Sequence, residues 1–165
     1  MTGITEGSKA PAFDMATDGD GRVSLSGLEG KAVVVFFYPK ADTPGCTNEA
    51  KDFSALIEDF DKAGAVVIGV SRDPVKKLDR FKARHDLKVI LASDEPEDVT
   101  VAWGVWVQKK LYGREYMGVE RATFLIDGAG TVRRAWRKVS VKGHAAEVLA
   151  AVQTLLARTN LPYPR

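Results

Sequence analysis

The fold of this 165-residue chain is decided by the stretch Phe36-Phe37-Tyr38-Pro39-Lys40-Ala41-Asp42-Thr43-Pro44-Gly45-Cys46, which ends at its only cysteine. The β-branched and aromatic residues before Pro39 predict a buried strand, and Pro39 ends it because proline has no N–H for a sheet ladder. Thr43 suits the N-cap of a helix and Pro44 its first position. Cys46 is then the third helical residue, among unpaired backbone N–H groups that favour a thiolate.

Two interpretations of the cysteine are open at this point. A lone cysteine is most often a small buried hydrophobe without chemistry, and apolar neighbours are then expected. The neighbours of Cys46 are instead small and polar, at a strand-to-helix turn, and include Thr43, Gly45, Thr47 and Asn48. These surroundings make a reactive thiol as plausible as an inert one.

Composition narrows the class of protein. With 45% hydrophobic and 28% charged residues, residues 1–165 are expected to form one globular domain. The net charge of +2 gives no electrostatic reason to expect nucleic acid or an anionic membrane as a partner. A single cysteine and two distant histidines, His85 and His144, predict no disulfide, metal or cofactor. Without an apolar signal core or a membrane-spanning stretch, a cytoplasmic location is expected.

An N-terminal β-hairpin is predicted around the turn Asp18-Gly19-Asp20-Gly21, between the apolar stretches Phe13–Met15 and Val23–Leu25. A calcium loop that began at Asp18 would need glycine at its sixth position. Because Val23 stands there, a plain turn is the stronger interpretation.

Strands and helices alternate in the rest of the chain, which is typical of an α/β fold. Buried strands are predicted at Val33–Tyr38, Ala65–Val70, Val89–Ala92 and Val119–Ile126, with Thr131–Val139 as the hairpin partner of the last. Four helices are predicted: one from Cys46 to about Lys62, one that begins at Pro74, a short one that ends at about Ala102, and one from about Gly143 to Arg158. The segment from Lys109 to Gly118 is predicted to be a loop. The helical crossover after Cys46 implies two parallel strands, with Cys46 beyond their carboxyl ends, where α/β sites form.

The motif Phe37-Tyr38-Pro39-Lys40-x-x-Thr43-Pro44-Gly45-Cys46-Thr47-x-Glu49 resembles the active-site signature of peroxiredoxins, and more closely that of their bacterioferritin-comigratory (Q) branch. The resemblance continues in order through Gly69-Val70-Ser71, Ser93-Asp94, Gly104-Val105-Trp106, Tyr112-Gly113, Arg121-Ala122-Thr123-Phe124-Leu125-Ile126-Asp127 and Gly143-His144. It implies a thioredoxin-like fold, with a central mixed sheet flanked by helices, and a thiol-dependent peroxidase.

The resemblance also implies a role for each of four residues. Cys46 matches the peroxidatic cysteine, and Thr43 matches the threonine that contacts the peroxide. Pro44 matches the proline that shields the thiolate, and Arg121 the arginine that completes the site. A guanidinium stays charged and offers several donors, which suits a thiolate and a peroxide oxygen. Two plainer alternatives stay open: Arg121 pairs with Glu120 or another surface acid, and Thr43 only caps the helix.

The implied reaction reduces hydrogen peroxide or organic hydroperoxides and leaves Cys46 as a sulfenic acid. Many relatives in this branch carry a resolving cysteine five residues later, where this chain has Lys51. Recycling is therefore expected from an external thiol, such as thioredoxin or glutaredoxin with glutathione. The protein itself is expected to be a monomer or weak dimer. The peroxidase would serve as an antioxidant in cell redox homeostasis. The alternatives are a monothiol disulfide reductase or deglutathionylase, and a non-enzymatic redox sensor.

Overall fold

The computed structural model describes residues 4–159. The strands are β1 Asp14–Thr17, β2 Gly21–Ser24, β3 Ala32–Phe37, β4 Ala65–Ser71, β5 Ile90–Ser93, β6 Trp106–Leu111, β7 Arg114–Val119, β8 Ala122–Ile126 and β9 Val132–Trp136. The helices are α1 Pro44–Ala55, α2 Ile57–Lys62, α3 Val75–His85, α4 Val99–Ala102 and α5 His144–Thr159. None of the helices in residues 4–159 is long and apolar enough to span a bilayer.

The central sheet has seven strands in the order β2-β1-β5-β4-β3-β8-β9, and β6 and β7 form a separate two-stranded sheet. Strand β3 runs parallel to β4 and antiparallel to β8, so the sheet is mixed, as expected. The helical crossover from β3 to β4 places the start of α1 at the carboxyl end of β3. The N-terminal hairpin is also confirmed, because β1 and β2 pair antiparallel on either side of the predicted turn.

The two faces of β3 point into two separate apolar clusters. One face carries Val34 and Phe36 toward α1, α3 and α5, and the other carries Val35 and Phe37 toward Trp103. Both clusters are built from residues that alternate along the strands, as a buried sheet requires. A sheet covered on both sides gives the end of β3 a rigid base.

Helix α1 is held on the sheet by a ring stack. The rings of Phe36 and Phe53 are stacked, with their planes 14° apart and their centroids 4.6 Å apart. The ring of Phe36 crosses the backbone at Gly69, where a Cβ would lie only 2.6 Å from it. Glycine is therefore needed at position 69, because a side chain there would displace the Phe36 ring that stacks on Phe53 of α1.

Two predicted elements were wrong in detail. The helix after Cys46 is interrupted at Leu56, where φ −104° and ψ 10° end α1 before α2 begins. The predicted loop from Lys109 to Gly118 is instead the hairpin β6–β7, closed by Tyr112 and Gly113 in the left-handed region. That turn conformation matches the twist of the two strands, which allows them to pair.

Candidate active site

Cys46 lies in the first turn of α1, immediately after the carboxyl end of β3. Thr43 is the N-cap residue and Pro44 the first helical residue, as predicted, so Cys46 occupies the third position. Its residue is only 1% exposed. The Thr43 hydroxyl does not cap the helix but donates to the carbonyl oxygen of Lys40 at 2.8 Å.

The missing side-chain cap leaves backbone donors free beside the sulfur. The N–H of Thr47 reaches the carbonyl oxygen of Thr43 at 2.8 Å and closes the first helical turn. Within residues 4–159, the N–H groups of Gly45 and Cys46 have no such acceptor. Unpaired donors at a helix start attract negative charge.

Arg121 joins this turn from the other side of the site. It lies between β7 and β8, and its Nη2 is 3.5 Å from Cys46 Sγ. A Cβ added to Gly45 would lie 3.2 Å from the same Nη2, so the guanidinium rests against the glycine backbone. Burial opposes the charge on Arg121, but Cys46 and Glu49 outweigh it and raise the pKa of the guanidinium.

Glu49 completes the arrangement, although no role was predicted for it beyond its place in the motif. Its Oε1 accepts from Arg121 Nη1 at 2.7 Å, and the residue is 1% exposed. The second oxygen, Oε2, is buried without a hydrogen-bond partner among residues 4–159. Burial raises the pKa of Glu49 from its ordinary 4.5 to about 7, against the opposing effect of Arg121. The available signal was its spacing, since residues three apart share a helix face.

The alternative that Arg121 pairs with its neighbour Glu120 is wrong. Glu120 accepts two hydrogen bonds from the Arg137 guanidinium, at 2.9 and 3.0 Å, and one from the Lys138 N–H. Arg121 turns instead toward α1, where Glu49 and Cys46 lie. Adjacent residues in an extended segment point to opposite sides, which separates the two ion pairs.

The structure brings Cys46 and Arg121 into contact but gives Pro44 an exposed position. The shielding role of Pro44 and the peroxide contact of Thr43 therefore stay predictions. Trp103 is fully buried beneath the opposite face of the sheet, and His144 is buried and hydrogen-bonded to Thr123 at 2.8 Å.

Comparison with known proteins agrees with this geometry. The AhpC/TSA family model matches residues 7–135. The chain belongs to the AhpC/TSA family. Among its members, the putative peroxiredoxin Bcp of Coxiella burnetii is 47% identical over 146 residues, which cover 88% of this chain and 97% of the relative. Peroxiredoxin Bcp of Bacillus subtilis is 46% identical over 152 residues, covering 92% and 97%.

Solved structures of related proteins superpose well on this chain. The bacterioferritin comigratory protein of Xanthomonas campestris, described for alkyl peroxide reduction, matches with a TM-score of 0.83 and 44% identity, covering 87% of this chain and 92% of its own. PrxQ of Xylella fastidiosa matches with a TM-score of 0.89 and 33% identity, covering 94% and 99%. The thioredoxin-like peroxiredoxin fold is thus confirmed, and the chain is a thiol-dependent peroxidase. The relatives do not favour the disulfide reductase or sensor alternatives.

Proposed function

We propose that Cys46 is the thiol that attacks the peroxide, and that Arg121 holds it ready to do so. The observation that carries the proposal is the contact of 3.5 Å between Arg121 Nη2 and Cys46 Sγ, made while Nη1 is anchored on Glu49. A fixed guanidinium stabilises a thiolate and leaves further donors for a peroxide oxygen. Because the anchor is buried, the guanidinium needs little reorganisation when charge shifts during the reaction.

The oxidative step follows from these groups. The Cys46 thiolate attacks one peroxide oxygen, so that an S–O bond forms and the O–O bond breaks. Cys46 is oxidised by two electrons to a sulfenic acid, and the departing oxygen takes a proton and leaves as water or an alcohol. The free N–H groups of Gly45 and Cys46 and the Arg121 guanidinium supply donors for charge on the leaving oxygen.

Thr43 and Pro44 prepare the same turn. The Thr43 hydroxyl donates its hydrogen bond to the Lys40 carbonyl oxygen. Its lone pairs therefore remain available to accept a hydrogen bond from a peroxide O–H. Pro44 has no N–H, and its fixed φ suits the first helical position, so it sets the turn that presents Cys46. Shielding of the thiolate by Pro44 is part of the same proposal.

Recycling requires a thiol from outside the chain, because Cys46 is the only cysteine. An external thiolate attacks the sulfenic sulfur, water leaves, and a mixed disulfide forms. A second thiol then releases Cys46 in its reduced form. We propose a thioredoxin, or a glutaredoxin with glutathione, as the source, acting on one cytoplasmic domain of residues 1–165 as a monomer or weak dimer.

Peroxide consumption by the wild-type protein and Cys46→Ser, with dithiothreitol as reductant, tests the proposal. Wild-type protein is expected to consume hydrogen peroxide and tert-butyl hydroperoxide catalytically. With Cys46→Ser, the rate of peroxide consumption is expected to equal that of dithiothreitol without protein. Circular dichroism checks that the variant folds. Catalysis by folded Cys46→Ser at the wild-type rate would exclude Cys46 as the reacting thiol.

A further inference from the structure

The turn between β3 and α1 contains a residue in an uncommon backbone conformation. Asp42 has a φ of 66°, in the left-handed region that residues other than glycine seldom adopt. It lies directly before Thr43, whose hydroxyl donates to the Lys40 carbonyl oxygen at 2.8 Å across the same turn. Because this hydrogen bond spans Asp42, the backbone conformation at Asp42 helps to determine where the Thr43 hydroxyl lies.

Two side chains at the end of α3 hold the Asp42 carboxylate, and we call the three residues together the clamp. Asp42 Oδ1 is 2.8 Å from His85 Nε2, and Oδ2 is 3.1 Å from Arg84 Nη1. The hydrogen bond with His85 lowers the pKa of Asp42, and the charge of Arg84 lowers it further, so the carboxylate is ionised at neutral pH. An ionised carboxylate only accepts, so His85 Nε2 is the donor.

The His85 side of the clamp rests on the buried core. The His85 side chain is 23% exposed, and its ring meets Phe81 edge-on, with centroids 5.7 Å apart. Phe81 is fully buried and lies 6.1 Å from the ring of Tyr38, at the end of β3. The Arg84 side chain is 67% exposed. Because solvent screens an exposed charge more strongly than a half-buried one, His85 is the stronger of the two partners of Asp42.

A second contact fixes the residue before Asp42. The Ala41 N–H donates to Asp73 Oδ2 at 2.7 Å, and the Ser71 hydroxyl donates to the same oxygen at 2.8 Å. Ala41 itself is buried. Two consecutive residues of the turn are therefore held by groups from outside it, which leaves the approach to Thr43 little freedom to shift. Such fixed geometry is what a group that orients a substrate requires.

We propose that Asp42 is a positioning residue for peroxide reduction and that it acts through Thr43. The clamp holds the turn in the conformation in which the lone pairs of the Thr43 hydroxyl face the peroxide beside Cys46. It acts on the position of the peroxide rather than on the charge of the thiolate. The inference rests on the proposed roles of Cys46 and Thr43.

Asp42→Gly tests the clamp, because glycine adopts a positive φ without strain and the variant loses only the carboxylate. Stopped flow without reductant measures oxidation of Cys46 by hydrogen peroxide, and we expect a rate constant about tenfold below that of wild type. Alkylation of Cys46 by iodoacetamide needs the thiolate but not the Thr43 hydroxyl, and its rate should be unchanged. Asp42→Asn keeps an oxygen that accepts from His85 and should retain most of the oxidation rate.

The same change in a Thr43→Val background tests whether Asp42 acts through the hydroxyl. Thr43→Val should itself slow oxidation, and adding Asp42→Gly should then have no further effect. Asp86→Gly is the matched control, since Asp86 also has a positive φ, of 51°, and pairs with Lys88 at 3.0 Å beside the clamp. It should leave the oxidation and alkylation rates at their wild-type values. Urea unfolding of every variant checks that the fold is retained.

Three results would overturn the proposal: wild-type oxidation by Asp42→Gly, an equal loss of oxidation and alkylation, or a full additional loss in the Thr43→Val background. Failure of the proposed function has a different signature. Thr43→Val would then be oxidised at the wild-type rate, or wild-type protein would be alkylated by iodoacetamide but not oxidised by hydrogen peroxide.

Discussion

Glu120 and Arg121 are adjacent in sequence, yet each belongs to a different arginine–glutamate pair. In the first pair, Glu120 receives hydrogen bonds from Arg137 and from the Lys138 N–H, and these lower its pKa. In the second, Glu49 receives one hydrogen bond from Arg121, and its buried Oε2 has no hydrogen-bond partner among residues 4–159. Burial there raises the pKa of Glu49 to about 7. The same two side-chain types therefore give opposite pKa shifts.

Hydrogen bonding thus separates a structural pair from the pair that we propose serves the peroxidase chemistry. A fully bonded carboxylate remains charged and fastens the hairpin base, since Arg137 also donates to the Gly104 carbonyl oxygen at 2.8 Å. An incompletely bonded and buried carboxylate is costly, and such groups are found where function requires them. Glu49 is such a carboxylate, and it binds the Arg121 guanidinium that contacts Cys46.

The largest expected effect is on the rate of Cys46 oxidation. Arg121→Ala removes the guanidinium that contacts the sulfur, and we expect the second-order rate constant with hydrogen peroxide to fall about 100-fold or more. Arg137→Ala, the matched change in the other pair, should leave this rate near that of wild type. Stopped-flow oxidation of both variants measures the effect. Equal losses in the two variants would remove the distinction between the pairs.

The next effect is on the pH dependence of stability. Because the folded pKa of Glu49 is raised, its contribution is most favourable below 4.5 and is lost as the pH rises toward about 7. Glu49→Gln should remove a slope of about 1.4 kcal/mol per pH unit over that interval. Urea unfolding at a series of pH values measures the difference between the two proteins. Parallel curves for wild type and variant would show that Glu49 titrates normally.

Glu120→Gln is the control for that experiment and should deviate in the opposite sense. The folded pKa of Glu120 is lowered, so its stabilisation is present above 4.5 and is lost as the pH falls through the folded pKa. The variant should therefore lose stability relative to wild type near neutral pH and approach it in acid. A deviation of the same sign for both glutamate variants would contradict the opposite pKa shifts.

A smaller effect is expected from crowding Arg121. Gly45→Ala places a Cβ 3.2 Å from Nη2, so the guanidinium must shift by a few tenths of an ångström. We expect a loss of several-fold, roughly 1 kcal/mol, in the rate of Cys46 oxidation, with little change in the free energy of unfolding. Gly130→Ala, far from the site, is the control for the effect of a glycine-to-alanine change on the oxidation rate. Because Gly130 has a left-handed backbone conformation, this variant will be less stable than wild type. An unchanged rate in Gly45→Ala would mean that the position of Arg121 is not critical.

The sequence predicted what local chemistry determines. Strand residues, then Pro39 and the Thr43-Pro44 helix start, place Cys46 at the third helical position, as observed. The partner of Arg121 could not be derived, because it lies 72 residues away and depends on how α1 meets β8. The hairpin β6–β7 was missed because its exposed strands are rich in charged side chains, which weakens the apolar pattern on which strand prediction relies.

The most direct measurement treats reduced protein with one equivalent of hydrogen peroxide, without added thiol, and follows it by intact-mass spectrometry and a sulfenic-acid probe. We expect the mass of one added oxygen atom, located on Cys46, and its removal when dithiothreitol is added. Arg121→Ala should acquire the same oxygen far more slowly, and Arg137→Ala at close to the wild-type rate. Protein that stays fully reduced while free cysteine in the same solution is oxidised would contradict a Cys46 thiolate activated by Arg121.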